Sequence, residues 1–182
     1  STQFNTTGDL NAAYGAFSLN RNTSASGNTA IGTSSLYWNT ASYNTGLGFE
    51  SLNQNTTGIG NTGIGTYSLR ETITGNYNTS VGFKSLYFDT AGGCHMAAGY
   101  QSLYNNNAAY NTAAGYQSLF TNRNGIDNAA YGYYSLYSNT SGNLNTALGY
   151  YALYNNTTAS ANVAIGEASM FANTTGTYNI AA

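Results

Sequence analysis

Cys94, His95 and Met96 are adjacent, and their types suggest metal chemistry more readily than any others in this chain. A β-strand sends neighbouring side chains to opposite faces, which is poor geometry for chelating one ion. The plainer reading is that one repeat has drifted, with His95 where Asn is usual and Met96 where Thr is usual. No metal site within one chain is expected; a ring of His95 side chains around a symmetry axis is the arrangement that could gather ligands. The acidic residues, Asp9, Glu50, Glu71, Asp89, Asp127 and Glu167, fall at different phases of the repeat, without paired-carboxylate spacing. No nucleophile elbow accompanies them. The expectation is a chain that is not an enzyme and carries no cofactor.

Aromatic residues form the other chemical system. Tyr37, Tyr87, Tyr104, Phe120, Tyr137, Tyr154 and Phe171 each follow a Leu or its Met equivalent, while Phe49, Phe83, Tyr100, Tyr116, Tyr133 and Tyr150 each follow a Gly. A residue next to a buried Leu points away from the interior, so the first series is a candidate interface or ligand-facing surface. Sugar rings could stack there, or neighbouring chains could bury the rings. Burial between identical chains is the favoured expectation, because a coil of this size encloses too thin a core to be stable alone.

What positions these residues is a repeat of about 17 residues running from end to end. Its clearest column is glycine, from Gly15, Gly32 and Gly48 through Gly65, Gly82, Gly99, Gly115, Gly132 and Gly149 to Gly166. Four residues on stands Leu (Leu19, Leu36 and so on to Leu153, then Met170), preceded by Ser or, once, Ala152. Two residues before each Gly stands a small residue such as Ala30 or Gly63. One Asn column lies four before the Gly, with His95 its exception, and a second lies seven after it, with Thr72 and Asp89 its exceptions. The spacing slips to 16 between Gly32 and Gly48 and between Gly99 and Gly115. The variable, Ser/Thr-Gly-containing stretch between the second Asn and the next first Asn can absorb both deletions.

Self-similarity at a short fixed period marks a solenoid, and this period is too short for a helix pair. It predicts an all-β fold: a parallel β-solenoid, or β-roll, of about ten 17-residue coils, each with two strands of about five residues and two bends. The predicted core is the Leu column with the residue before each Gly (Tyr14, Ile31, Leu47, Ile64 and their equivalents). The Asn columns should form amide ladders at the bends, and the Gly column should mark a positive φ or a close backbone approach.

Composition narrows the partners. Charged residues are 5% of the chain, with only 4 Lys and Arg, so nucleic-acid binding through a basic field is not expected. No stretch approaches the roughly 20 apolar residues of a membrane span. Proline is absent, as suits backbone amides engaged in ladders throughout. Both ends cut the repeat mid-phase, so residues 1–182 read as one continuous array excerpted from a longer chain.

Asn28-Thr-Ala-Ile-Gly32 and Asn145-Thr-Ala-Leu-Gly149 resemble the short repeat of trimeric autotransporter adhesin heads. The longer Asn145 to Leu153 stretch is similar to repeats in phage tail-fibre-type surface proteins. The resemblance implies a left-handed parallel β-roll assembled as a homotrimer, serving as stalk or head of an adhesive fibre on a cell surface or virion. The adhesin repeat is shorter than the period here. The function expected is a non-enzymatic structural or adhesive segment of an extracellular fibre, as a homo-oligomer that could meet a glycan or cell-surface receptor. The alternative is a subunit of a self-assembling extracellular filament. Ice or glycan binding by the solenoid ranks below both, since the Thr column of Thr29, Thr45, Thr62 and Thr79 breaks at Met96, Ala129 and Val163.

Overall fold

The structure is a computed structural model that describes residues 4–182. Along them run β1 (Ala12–Tyr14), β2 (Thr29–Ile31), β3 (Thr45–Leu47), β4 (Thr62–Ile64), β5 (Thr79–Val81), β6 (Met96–Ala98), β7 (Thr112–Ala114), β8 (Ala129–Tyr131), β9 (Thr146–Leu148), β10 (Val163–Ile165) and β11 (Ile180–Ala181). They form one 11-stranded parallel sheet in strict sequence order, with no helix among the described residues. Each coil adds one strand, so the chain is a parallel β-solenoid of about ten turns. Equivalent residues pair throughout, as in Ala13 with Ala30 and Ala147 with Ala164. Both 16-residue coils keep this register, since Thr29 pairs with Thr45 and Met96 with Thr112. The missing residue is taken from the stretches 39–44 and 106–111, where the two Asn columns consequently touch: Asn44 Nδ2 donates to Asn39 Oδ1 at 3.1 Å and Asn111 Nδ2 to Asn106 Oδ1 at 3.2 Å. The mid-phase start expected at the first residues, Ser1 to Thr7 as the second half of an earlier coil, falls partly outside the described residues.

The expected pair of five-residue strands per coil is corrected: one strand of three residues is present, and the Leu side is a continuous turn. That turn is still laddered, because Leu36 N–H donates to Ser51 O and Leu86 N–H to Ser102 O of the next coil. The strand pattern is broken because every residue of the Leu column, and the residue two before it, has positive φ, near 51° at Leu36, Leu86 and Leu103. A left-handed residue turns the chain by what a strand cannot, while its amide stays aimed along the axis. The Gly column fulfils both of its predicted reasons. At Gly115 φ is 140°, and an added Cβ would lie 2.3 Å from Gly132 O.

The core is also corrected. Leu19, Leu36 and their equivalents through Leu153 are fully buried, but the residue before each Gly points outward, with Ile31 40% and Leu148 47% exposed. The inward strand position belongs to the small column, Ala30, Ala113, Ala130 and Ala147. Side chains alternate along the strand, but with the small residue inward and the larger one outward. With Leu opposite, only a small side chain fits: a Cβ on Gly46 would come within 3.3 Å of Leu36 Cγ. The rest of the interior is polar, made of the buried Ser column and both Asn columns. Ser35 Oγ donates to Gly46 O at 3.0 Å and Ser51 Oγ to Gly63 O at 2.9 Å, joining the turn to the strand across the coil.

The two Asn columns use different bonds. In the second, Nδ2 donates to the Oδ1 one coil back, at 2.7 Å for Asn55 to Asn39 and 2.8 Å for Asn122 to Asn106 and Asn139 to Asn122. This is an amide ladder. In the first, Oδ1 accepts the backbone N–H of the next residue of the column, as from Asn61 to Asn44 at 2.9 Å, and Nδ2 donates to a loop carbonyl such as Gly75 O at 2.7 Å, except at Asn28, whose Nδ2 is buried without a partner. Each such Asn links its own coil to the next one's strand entry and loop.

Candidate functional site: an aromatic lattice beside a buried polar fault

The turn that carries Leu inward carries aromatic rings outward in three columns: the residue after Gly, the next one, and the residue after Leu. Of the predicted series, Tyr87, Tyr104, Phe120, Tyr137, Tyr154 and Phe171 form one unbroken stack, with centroids 5.4, 5.0, 5.2, 5.3 and 5.3 Å apart in that order. Tyr37 is not in it, because Asn20, Asn53 and Arg70 occupy the adjoining places of its column; it packs edge-on against Phe17 and Trp38. The residues after Gly form a second stack, Phe83, Tyr100, Tyr116, Tyr133 and Tyr150, at 5.4, 5.0, 5.0 and 5.3 Å. Between the two stand Tyr67, Tyr134 and Tyr151, which the sequence reading did not single out. Their signal was an aromatic two residues after the Gly, as also at Phe17, in a column otherwise holding Ser34, Glu50, Lys84, Gln101, Gln117 and Ala168.

These middle rings meet both stacks edge-on, from 61° at Tyr151 to perpendicular at Tyr134. Tyr134 meets Tyr116 at 89° and Tyr137 at 89°, with centroids 5.4 and 5.0 Å away. Edge-to-face contact brings the positive rim of one ring to the negative face of another, so the middle column cements the two stacks into a lattice. Desolvation pushes the Tyr134 hydroxyl up to about 12, with its hydrogen bond to Tyr133 adding to the effect, and raises Tyr104 and Tyr137 for the same first cause.

The interplanar angles decide what the lattice can do. Within the stacks they are small, 2° for Tyr104 and Phe120 and 5° for Tyr100 and Tyr116, so each ring face is covered by the next ring. What faces solvent is a row of ring edges and hydroxyls. A sugar stacking on aromatic rings needs open faces, which this arrangement spends on itself. Edges and phenols suit a shaped, semi-polar contact with another protein surface. Charge collects at one end, where Arg70 pairs with Glu50 at 2.6 Å and with Glu71, and lies over Tyr67 and Tyr87. From Tyr87 to Tyr154 the three aromatic columns hold no charged residue; Glu167 ends the run.

Where both Asn columns lose their Asn, a polar fault lies buried. Asp89 and His95 are both inside the coil, with His95 Nε2 3.8 Å from Asp89 Oδ2. Asn111 N–H donates to His95 Nδ1 at 3.1 Å, taking the place of its usual bond to an Asn oxygen. Nδ1 thus accepts from a backbone donor that cannot turn, and Nε2 lies 2.9 Å from Asn106 Nδ2. Burial lifts the Asp89 carboxyl from 3.8 to about 7, opposed by the bond from Gly92 N–H, and lowers His95 from 6.5 to about 4, opposed by backbone bonds at Asn111 and Ala108. Thr72 is too short to continue the ladder; its Oγ1, Asn55 Oδ1 and Asp89 Oδ2 are buried without a hydrogen-bond partner. Cys94 and Met96 are exposed on either side of buried His95, so the three adjacent residues do not converge. Among the described residues, no group of three or more His, Cys, Asp or Glu side chains gathers as for a metal.

The Thr column lies on the outward face of the sheet beside the Ile column, interrupted as its sequence reads by Met96, Ala129 and Val163. No helix of the described residues is long and apolar enough to cross a membrane. No family model, no curated protein and no solved structure matches the chain.

Proposed function

We propose that this chain is a non-enzymatic structural segment of an extracellular fibre, in which identical chains pack along the Tyr87 to Phe171 stack as a homo-oligomer, leaving the edges of the Tyr100 to Tyr150 stack open, with a trimer the expected form. One observation carries the reading: an uncharged run of stacked rings, edges outward, repeating with the solenoid's own axial period from Tyr87 to Phe171. Only a surface with the same period meets every rung alike, and a second copy in parallel register has it. Half-exposed rings over this length exceed the apolar patch usual for a monomer. The extracellular placement rests on the Asn-, Thr-, Ser- and Gly-rich composition and on the resemblance to adhesin and tail-fibre repeats.

Light scattering on the full chain tests this. A homo-oligomer is expected, with Tyr104, Tyr137 and Tyr154 protected from solution tyrosine reagents. A monodisperse monomer whose tyrosines react freely would overturn it. A second reading, the self-assembling filament, has its own support: the outward Ile31, Leu47, Ile64 and Leu148 give the solenoid another apolar face, which a trimer closed on the aromatic side leaves uncovered. Growth of scattering with concentration beyond any fixed mass distinguishes it.

A further inference from the structure

We propose that the stacked tyrosines Tyr100, Tyr116, Tyr133 and Tyr150 are an oxidative cross-linking site, at which a peroxidase-class one-electron oxidant joins consecutive coils through dityrosine bonds. The inference stands on ladder geometry and does not rest on the fibre reading. Tyr100 and Tyr116 lie 5.0 Å apart at 5°, Tyr116 and Tyr133 5.0 Å at 13°, and Tyr133 and Tyr150 5.3 Å at 17°. Their outer edges are open, from 39% exposure at Tyr116 to 50% at Tyr150, so an oxidant reaches the phenols from solution.

The chemistry balances within this geometry. Each of two phenols gives one electron to the oxidant and its hydroxyl proton to solvent, leaving a phenoxyl radical with spin at the ring carbons beside the oxygen. Two such carbons on neighbouring rings form a C–C bond. The hydrogens on those carbons then move to the oxygens, restoring two phenols. The pair has lost two hydrogens in all, and one hydrogen peroxide is reduced to two waters. Stacking supplies the second radical's partner at contact distance, so coupling along the ladder outruns diffusion between molecules.

The chain contains its own controls. In the neighbouring stack Phe120 separates Tyr104 from Tyr137, and a phenylalanine forms no phenoxyl, so coupling there is confined to Tyr87 with Tyr104 and Tyr137 with Tyr154, which are less exposed than the ladder and should link less. At the loop corner Tyr43, Tyr77 and Tyr110 are more exposed than the ladder, at 72%, 61% and 60%, yet Gly60 and Cys94 hold the places between them. Those tyrosines stand two coils apart, roughly 10 Å at a strand spacing near 4.8 Å, which is beyond coupling reach.

The experiment treats dilute full-length protein with a haem peroxidase and hydrogen peroxide, then maps linked peptides by mass spectrometry. Links between Tyr100 and Tyr116, Tyr116 and Tyr133, and Tyr133 and Tyr150 are expected to dominate, each with the loss of two hydrogens. In Tyr116→Phe, the first two should vanish while the Tyr133 to Tyr150 link persists; Phe83 and Phe120 already hold such stack positions, so the variant keeps the fold. The proposal is overturned by an absence of dityrosine, by links made chiefly through Tyr43, Tyr77 and Tyr110, or by a product dominated by like-to-like links such as Tyr133 to Tyr133, which only two chains can form. An equal fall of all three links in Tyr116→Phe overturns it as well.

Discussion

Asp89 and His95 pull the chain's pH response in opposite directions. Asp89 has a folded pKa raised to about 7 from 3.8, so the folded state holds a proton that the unfolded chain has lost, and stability falls as pH rises through this range. His95 has a folded pKa lowered to about 4 from 6.5, so its contribution is complete above 6.5 and is lost as pH falls toward 4. Between about 4 and 6.5 the two slopes, each at most about 1.4 kcal/mol per pH unit, cancel. The expected profile of the native chain is flat there. His95→Asn should leave the Asp89 slope, with stability falling toward pH 7; Asp89→Asn should leave the His95 slope, with stability rising. Urea unfolding at three pH values measures both. Like slopes in the two variants would contradict the assignment. Either change also restores an amide to a broken column, so both variants should exceed the native chain near pH 7.

At the scale of the element, the left-handed Leu sets the rules of substitution. Leu86 is buried with φ 51°, a conformation that a β-branched side chain resists. Leu86→Met should cost less than about 1.5 kcal/mol, since Met170 already holds this column with φ 53°. Leu86→Ala should cost about 2–5 kcal/mol by opening a cavity. Leu86→Val removes less volume, yet backbone strain on the order of 1–3 kcal/mol should bring it close to the alanine variant. Equilibrium unfolding ranks the three, and hydrogen exchange should place the lost protection in the coils of Leu69, Leu86 and Leu103, because each coil contacts only its neighbours. This element also marks where sequence reasoning stopped. The columns, the parallel stacking and the place of both deletions were legible, because like residues at a fixed period must stack. The turn was not, because Leu is not a residue that announces positive φ. The direction of the strand was also ambiguous: Ile31 and Ala30 alternate either way, and hydrophobicity argues for Ile inside. Space decides otherwise, since Leu36 fills the thin interior and leaves room only for Ala or Gly across from it. For the same reason Tyr67, Tyr134 and Tyr151 went unnoticed, lying in a turn that was read as a strand.

Across the whole molecule, cohesion is apolar, amide-based and repetitive. Charged residues are 5% of the chain, and Arg70 with Glu50 and Glu71 forms a half-exposed cluster whose contribution is small. The melting temperature should therefore move by less than about ten degrees between low and high salt. Thermal unfolding followed by circular dichroism checks this, and a larger shift would assign electrostatics a part that the structure does not.

The fault at Thr72, Asp89 and His95 and the two shortened coils have one more consequence. In a flawless array every coil is interchangeable, and two chains sliding past each other by one rung would find nothing amiss. Here four of the rungs are individually recognisable: that of Thr72, that of Asp89 and His95, and the two shortened ones. In the proposed parallel assembly the two shortened coils would act as index marks on an otherwise uniform scale, because only one register aligns them in every chain.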